Sequence, residues 1–588
     1  MGDTLNISSN SEMVTFSEEA MNDIARGEVE HGDIVTDVGD VQEEIPGDTV
    51  DSILHALGSP GKFTILQCVL NYLYYTSFAF PILSMVFIGY QTPHTCAKLT
   101  NETEELVELG LDNDTTATFV YHQCSIDIVT NISGSVETLT SILCVNGNDY
   151  NGSRHISFVS EWDLVCEKKT GLTAMVHSIM VMGSVMGGFV IAGLSDRVGR
   201  KRVLIYSQYL LAASGIAAAF SPNIHVLIVL RFFIGFFQAG IVAVGWTLLV
   251  EGVVPGHRRY VVTLSGNVLN SNLAMFALCA WLMKDSSWRN LQLVTALVNI
   301  NLLLAPFLLS ESLRWLLTNM KYKEGLQVTK RAAKWNGRDF DTIRSIFINQ
   351  IGDYDEVCIQ VSTNSGHKRN RNIKHEKYSV IDILKHRSLL KTTIILFVLW
   401  ITCNMTYFGL FLNSSSLSGD RHLNFFLLGV VDFAGDFCIY MFMDRIGRRF
   451  FCLSALAVTV TGLLTSSFLV AFGSTELTKT LTSGFVVFGK FGIGLVFSSV
   501  YIYTPELYPT NIRSAALGLC SSVANIGGIV APYTSPLGDL IPWGPGVLFS
   551  VICVLSGMLV FLLPETRGKS LPETIDDMKR EKELQIRT

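Results

Sequence analysis

Charge is scarce in this chain. Asp, Glu, Lys and Arg make up 16% of its 588 residues, against roughly 25% in soluble globular proteins. That scarcity excludes an ordinary water-exposed globule. Also missing are a Walker loop, a cluster of metal ligands and a nucleophile set beside its base. ATP hydrolysis, metal chemistry and covalent catalysis therefore have no residues to carry them. The chain reads as no enzyme, with no cofactor, no metal and no nucleic-acid partner. No cleavable signal peptide is recognised either, because the first apolar run starts at Phe63 and is too long for one.

What is present is apolar. Hydrophobic residues make up 49% and the mean hydropathy is +0.37. Runs of roughly 20 apolar residues, each able to cross a hydrocarbon core about 30 Å thick, recur twelve times. They are Phe63–Gly89, Leu172–Leu194, Val203–Phe220, His225–Val250, Tyr260–Met283, Leu291–Leu309, Leu390–Leu412, Leu423–Met443, Phe450–Phe472, Leu481–Tyr503, Ser514–Ser535 and Gly544–Leu563. A membrane span must satisfy its own backbone, so these are predicted helices and the fold class is all-α membrane protein.

The chain also repeats itself. Asp196-Arg-Val-Gly-Arg-Lys-Arg202 is echoed by Asp444-Arg-Ile-Gly-Arg-Arg449. Glu251, Pro255 and Arg258 are echoed by Glu506, Pro509 and Arg513, and Ser310-Glu-Ser-Leu-Arg314 by Pro564-Glu-Thr-Arg-Gly568. Two like halves predict a substrate site between them and a rocking motion around it. The spacing divides the chain into an acidic tail (1–60), a six-helix bundle (61–310) with a large loop (90–170), a linker with short helices (311–389), a second six-helix bundle (390–563) and a closing tail (564–588).

Lys and Arg set the orientation. The loops after spans 2, 4, 8 and 10 carry Arg197 to Arg202, Arg258 and Arg259, Arg445 to Arg449, and Arg513, and the segment after span 6 is rich in both. These loops and both termini are predicted cytoplasmic. Residues 1–60 hold many acids against Arg26 alone; their charge and low hydrophobicity predict disorder. The loop 90–170 carries sequons at Asn101, Asn113, Asn131 and Asn151, a cluster beyond chance that marks it as extracellular or lumenal and glycosylated. It also carries Cys96, Cys124, Cys144 and Cys166, which predict two disulfides in one of three pairings. Asn404 also fits the sequon but lies within span 7.

These features together resemble the major facilitator superfamily and, more narrowly, its organic cation, organic anion and carnitine/zwitterion transporters. The stretch Gly187 to Arg202 resembles the superfamily's signature loop. Glu311-Ser-Leu-Arg-Trp-Leu, Tyr503-Thr-Pro-Glu-Leu-Tyr-Pro-Thr and Leu563-Pro-Glu-Thr-Arg-Gly-Lys-Ser resemble motifs of the narrower family, although Ser310 stands where Pro is usual. The resemblance covers nearly the whole chain beyond about residue 55 and is nearest in feel to the carnitine/organic cation branch. It implies the major facilitator fold, two bundles of six helices around a midplane cavity.

Two constellations carry candidate chemistry. Asp196, Arg200, Glu251 and Arg258, with Asp444, Arg448, Glu506 and Arg513, form a candidate inner gate whose opposite charges pair and separate; a solvated rim that only fixes topology is the plainer reading. The second set lies within the spans, where charge is expensive and therefore paired or facing a watery cavity. Arg231, Lys490, Asp432 and Asp436 are its charged members. The resemblance places Asp432 beside the central cavity; the plainer reading binds it to a Lys or Arg of a neighbouring helix. At the position of Asn525 the family's cation transporters carry Asp, and its anion and carnitine transporters carry Arg. A neutral amide there suits a zwitterion, or an amine held elsewhere; a helix-packing amide is the other reading. Trp400, Tyr407 and Trp246 can hold an ammonium over their rings, or simply pack. Asn267 and Asn270 add neutral polar groups. His177 reads as a packed polar residue, and the basic run His367–Lys377 as a solvated loop or an attractor of anionic lipid headgroups.

The sequence therefore predicts a plasma-membrane transporter of small organic cations or zwitterions of carnitine, betaine or biogenic-amine-derivative type. Its partners are that substrate, the lipid bilayer and, in a secondary-active mode, a coupling ion. Two other readings stand: an organic anion transporter using Arg231 or Lys490, and a transporter-fold receptor or scaffold that moves nothing.

Overall fold

The computed structural model of the protein describes residues 47–99, 117–132, 135–150, 152–166, 170–298, 305–351, 387–509 and 512–568. The basic run 367–377, the sequons at Asn101, Asn113 and Asn151 and the side chain of Asn131 lie outside the described residues.

Each of the twelve predicted spans falls on helix. The first is broken twice, into α2 (Lys62–Tyr74), α3 (Thr76–Leu83) and α4 (Met85–Ile88). The next four are α6 (Thr170–Val198), α7 (Arg200–Ala219), α8 (Ile224–Glu251) and α9 (Pro255–Leu282). The sixth comprises α10 (Trp288–Leu297) and α11 (Ala305–Leu308), with the residues between them outside the described ones. The second half holds α15 (Arg387–Leu412), α16 (Arg421–Ile446), α17 (Arg448–Phe472), α18 (Glu476–Glu506), α19 (Arg513–Val530) and α21 (Gly544–Val560), with a short α20 (Thr534–Leu540) before the last. Among the described residues eight spans are long and apolar enough to cross a membrane; α7, α9, α10 and α21 are shorter or more polar.

The loop after the first span is a small β domain. Strand β1 (His94–Cys96) pairs antiparallel with β5 (Asn148–Tyr150), while β2 (Ala117–Tyr121), β3 (Ser125–Ile132) and β4 (Ser135–Leu143) form a meander. Alternate β-branched residues suit the two faces of such a sheet, and Ile126 and Ile128 are fully buried. Cys96 joins Cys144, and Cys124 joins Cys166.

A tie fastens this domain to the first bundle. Glu161 ends α5 (Phe158–Glu161) and accepts hydrogen bonds from Trp288 Nε1 at 2.5 Å and Arg289 Nη2 at 2.7 Å. Burial pushes the Glu161 carboxyl up, but those two bonds, with the charges of Arg289 and His155, hold it below the ordinary carboxylate range.

At the opposite end lie α12 (Leu313–Thr318), α13 (Tyr322–Asn336) and α14 (Phe340–Ile351). The tail expected to be disordered through residue 60 instead ends in a helix, α1 (Gly47–Ala56). Val50, Ile53 and Leu54 of this helix and Leu57 just beyond it recur at i, i+3, i+4 and i+7, and all four are buried. The Asn336 side chain fixes the turn that follows. Its Oδ1 accepts from the Phe63 amide at 2.9 Å, and its Nδ2 donates to the Leu57 carbonyl at 2.7 Å.

Candidate functional site

The turn between α6 and α7 and the turn between α16 and α17 are built alike. Gly199 and Gly447 stand at φ of 115° and 100°, a backbone region that side chains with a Cβ avoid. A Cβ on Gly199 would lie 2.7 Å from the Glu311 carboxylate, and one on Gly447 2.8 Å from that of Glu565. Those carboxylates fill the notch because the next helix begins there. Glu311 accepts from the Arg200 and Lys201 amides at 3.1 Å. Glu565 accepts from the Arg448 and Arg449 amides at 2.9 and 3.0 Å. Anions are favoured at a helix N-terminus, where amides have no intrahelical partner.

The candidate gate charges gather on these turns. Arg200 pairs with Glu251 and lies 3.6 Å from Asp196; Arg448 pairs with Glu506 at 3.1 Å and Asp444 at 2.9 Å. Ser312 Oγ donates to Glu251, and Thr566 Oγ1 to Glu506, each at 2.5 Å. All these pairs stay within their own half. Arg258 reaches Asp51 of α1 at 3.7 Å, and Arg314 pairs with the same carboxylate. Arg513 donates to the Tyr508 carbonyl at 3.5 Å. Sequence reasoning missed Asp51; the apolar spacing of α1 was the signal that could have found it.

In the carboxy-terminal bundle, Lys490 on α18 donates to both oxygens of Asp432 on α16, at 2.7 and 2.8 Å. Tyr407 on α15 donates to Asp432 Oδ2 at 2.7 Å, and its ring lies 3.7 Å from Lys490 Nζ. Lys490 is fully buried and Asp432 is 7% exposed. Trp400 is buried as well, donating to Thr504 Oγ1 at 3.0 Å and packing edge-on against Tyr501. In the amino-terminal bundle, Arg231 has neutral partners instead. It donates to the Pro81 carbonyl at 3.2 Å, Ser84 Oγ at 3.0 Å and Gln292 Oε1 at 3.0 Å. Gln238 donates to the Phe78 carbonyl at 2.6 Å. Both side chains of α8 thus serve the interrupted first span.

Between the halves, Asn270 Nδ2 on α9 donates to Asp436 Oδ2 on α16 at 3.0 Å, while Ser498 Oγ lies 3.4 Å from Asp436 Oδ1. Ser178 on α6 donates to the Ile529 carbonyl on α19 at 2.7 Å. Asn525 is half-buried and donates to the Ser521 and Ser522 carbonyls of its own helix. Asn267 is half-buried and Trp246 is 40% exposed. His177 is 1% exposed. At the end bearing the β domain, rings from both halves meet. Phe87 stacks on His422 and meets Phe425 edge-on, each at 5.0 Å, and Phe276 meets Phe425 at 6.0 Å. Arg421 lies 3.6 Å over the Tyr90 ring.

Two bundles with like turns, joined at one end by rings and holding buried charge at mid-helix, define a membrane transporter. The family model described as sugar (and other) transporter matches residues 129–578. The chain is 30% identical over 556 residues to solute carrier family 22 member 6-A of Xenopus laevis, covering 90% of this chain and 93% of that one. It is 29% identical to organic anion transporter 3 of Mus musculus (90% and 94% covered). It is also 30% identical to solute carrier family 22 member 2 of Rattus norvegicus (90% and 95%). The inward open conformation of the xylose transporter XylE from E. coli superposes with a TM-score of 0.55 at 13% identity, covering 87% of this chain and 98% of that one. The major facilitator superfamily proton:xylose symporter XylE bound to 6-bromo-6-deoxy-D-glucose gives 0.51 at 14% identity, covering 87% and 98%. The fold is therefore the major facilitator fold. The chain belongs to the sugar (and other) transporter family and, within it, to solute carrier family 22. It is a multi-pass membrane transporter, not an enzyme.

Proposed function

We propose that this protein moves small organic cations or zwitterions across the plasma membrane by alternating access, with both termini cytoplasmic. The observation that carries the reading is the charge balance at the centre. Lys490 is already neutralised by Asp432, so the pair presents no net charge. Asn525 is neutral, and Asp436 adds a carboxylate at the seam between the halves. Such a centre attracts a cationic group and offers an amide to an anionic one, which suits a carnitine- or betaine-like solute. Asp432, Tyr407, Lys490, Asn525, Trp400, Trp246 and Asn267 are the proposed contacts. The paired turns, with Arg258 and Arg513, are the proposed inner gate. The distribution of Lys and Arg supports the orientation, and the sequon cluster supports glycosylation of the β-domain loop.

The test is uptake of a labelled quaternary cation, a carnitine-like zwitterion and an aromatic carboxylate. Wild type is compared with Asp436→Asn, Asn525→Asp and Asn525→Arg at equal surface expression. The zwitterion should be preferred by wild type, Asn525→Asp should shift preference to the cation and Asn525→Arg to the carboxylate. Asp436→Asn should lower zwitterion uptake at low substrate several-fold. A second reading, organic anion transport, is supported by the likeness to organic anion transporter 3. Carboxylate uptake that collapses in Lys490→Ala and survives Asp432→Asn would replace the first reading with the second.

A further inference from the structure

Near the middle of α16, Asp436 is half-buried against the other half of the molecule. Asn270 Nδ2 on α9 donates to its Oδ2 at 3.0 Å, and Ser498 Oγ on α18 donates to its Oδ1 at 3.4 Å. Gly266, one turn before Asn270, faces the same Oδ2: a Cβ there would lie 3.6 Å from it. The carboxylate therefore rests on one stripe of α9, at i and i+4.

What it lacks is a base of its own. Among the described residues its hydrogen-bond partners are the two neutral groups just named. The charged or titratable groups facing it are Asp432, Lys490 and Tyr407. Asp432, one turn earlier on α16, carries the same charge. Lys490 donates to both oxygens of Asp432 at 2.7 and 2.8 Å, and the Tyr407 hydroxyl donates to that same carboxylate. The lysine is thus committed to one of two acids, and one negative charge is left over. Charge inside a span is expensive and is met by a partner; among the described residues Asp436 has none of opposite sign.

We propose that Asp436 takes a proton and the cationic group of a solute in turn, so that the protein exchanges one solute for one proton, a reading that rests on the transport function proposed above. One carboxylate cannot hold both at once. A proton arriving from one side displaces the solute, a solute arriving from the other displaces the proton, and only the O–H bond forms and breaks. Occupancy also reaches the seam. The bond from Asn270 to an ionised carboxylate is charge-assisted and roughly twice as strong as the same bond to a neutral carboxyl. Left bare, Asp436 holds α9 fast. Loaded with a proton, or with an ammonium group that draws on the same oxygens, it lets α9 slide against α16 as the halves rock. A carrier that moves only when loaded is an exchanger.

The experiment uses the purified full chain in liposomes, with the membrane potential clamped at zero by potassium and valinomycin. At equal pH on both sides, exchange of labelled against unlabelled quaternary cation or carnitine-like zwitterion reports carriage alone. With the interior one pH unit more acid, wild type should accumulate the solute up to about tenfold over its equal-pH level, the ratio that one-for-one exchange permits. Asp436→Asn should lower exchange, and its residual uptake should no longer respond to the gradient. Asp436→Glu, which keeps a carboxyl, should retain the response. Infrared difference spectra of the detergent-purified protein read the proton without any solute. A carboxylic-acid carbonyl component should grow on acidification of wild type, shrink when the quaternary cation is added, and be missing from Asp436→Asn. Equal gradient responses in wild type and Asp436→Asn, no response in a wild type that exchanges solute, or infrared spectra that Asp436→Asn leaves unchanged would each overturn the proposal. Absence of equal-pH exchange for both solutes would instead overturn the transport reading and the exchange with it, while the infrared spectra would still decide whether Asp436 holds a proton.

Discussion

In the amino-terminal half, Arg231 is buried among a carbonyl, a hydroxyl and a side-chain amide. In the carboxy-terminal half, Lys490 is buried against a carboxylate that also accepts from Tyr407. The turns of the same two halves differ hardly at all: glycine, arginine, two glutamates and a hydroxyl recur in each. The halves therefore agree where the chain must bend between helices and diverge where charge is buried. The difference has a physical cause. A turn geometry with one solution is met in the same way twice. A buried cation can be solvated either by dipoles or by an opposite charge, and the choice sets the net charge of the bundle interior.

That contrast can be broken by substitution. Lys490→Met strands Asp432 in a buried site and should cost about 3–5 kcal/mol. Arg231→Met strands only neutral groups and should cost about 1–3 kcal/mol. Thermal unfolding of the purified protein reads both, and Lys490→Met with Asp432→Asn should recover most of the first loss. Equal costs for the two single variants would erase the distinction between the halves.

The likeness of the turns can be sharpened next. Gly199→Ala and Gly447→Ala each force a Cβ into a left-handed backbone and against a carboxylate, at about 1–3 kcal/mol apiece. Surface expression and melting temperature should fall to a similar degree in both. A loss in one alone would mean the turns only look alike.

The smallest effect concerns a tie that, among the described residues, belongs to the first half. The Glu161 carboxyl is held below its ordinary value of 4.5. Its contribution is therefore fully present above pH 4.5 and is lost as the pH falls through the lowered folded value. Hydrogen exchange at the Trp288 indole should rise over that acid range in wild type. Glu161→Gln should show no such step.

Much of this was legible in the sequence, because membrane spans and repeats are written as long local patterns. The twelve apolar runs fall on helices, and the doubled Asp-Arg-x-Gly-Arg turns face like partners. The pairing of Asp432 with a basic residue of another helix was one of two readings open from sequence. Which base, and with which tyrosine, depends on how α15, α16 and α18 rotate against one another, and no local pattern encodes that. Asp51 was hidden for another reason. The acidic composition of residues 1–60 outweighed four apolar residues at helical spacing, and those four bury α1. Glu311 and Glu565 were visible as echoes, but their service to the amides of a distant helix is a property of the folded chain.

The rings of Phe87, Phe276, Phe425 and His422 meet at one end of the molecule, and among the described residues no hydrogen bond joins these four rings to one another, while Ser178 to the Ile529 carbonyl is a separate polar contact between the halves. His422 turns its polar edge to Asp420 of its own half, at 3.2 Å. Parting these ring contacts, taken alone, strands no donor or acceptor, so their resistance scales with the apolar surface laid open and has little angular preference. It also carries the temperature signature of apolar contact: the hold slackens on cooling. Ring contacts of this kind can re-form from many approach angles, whereas matched polar pairs have to find their register each time.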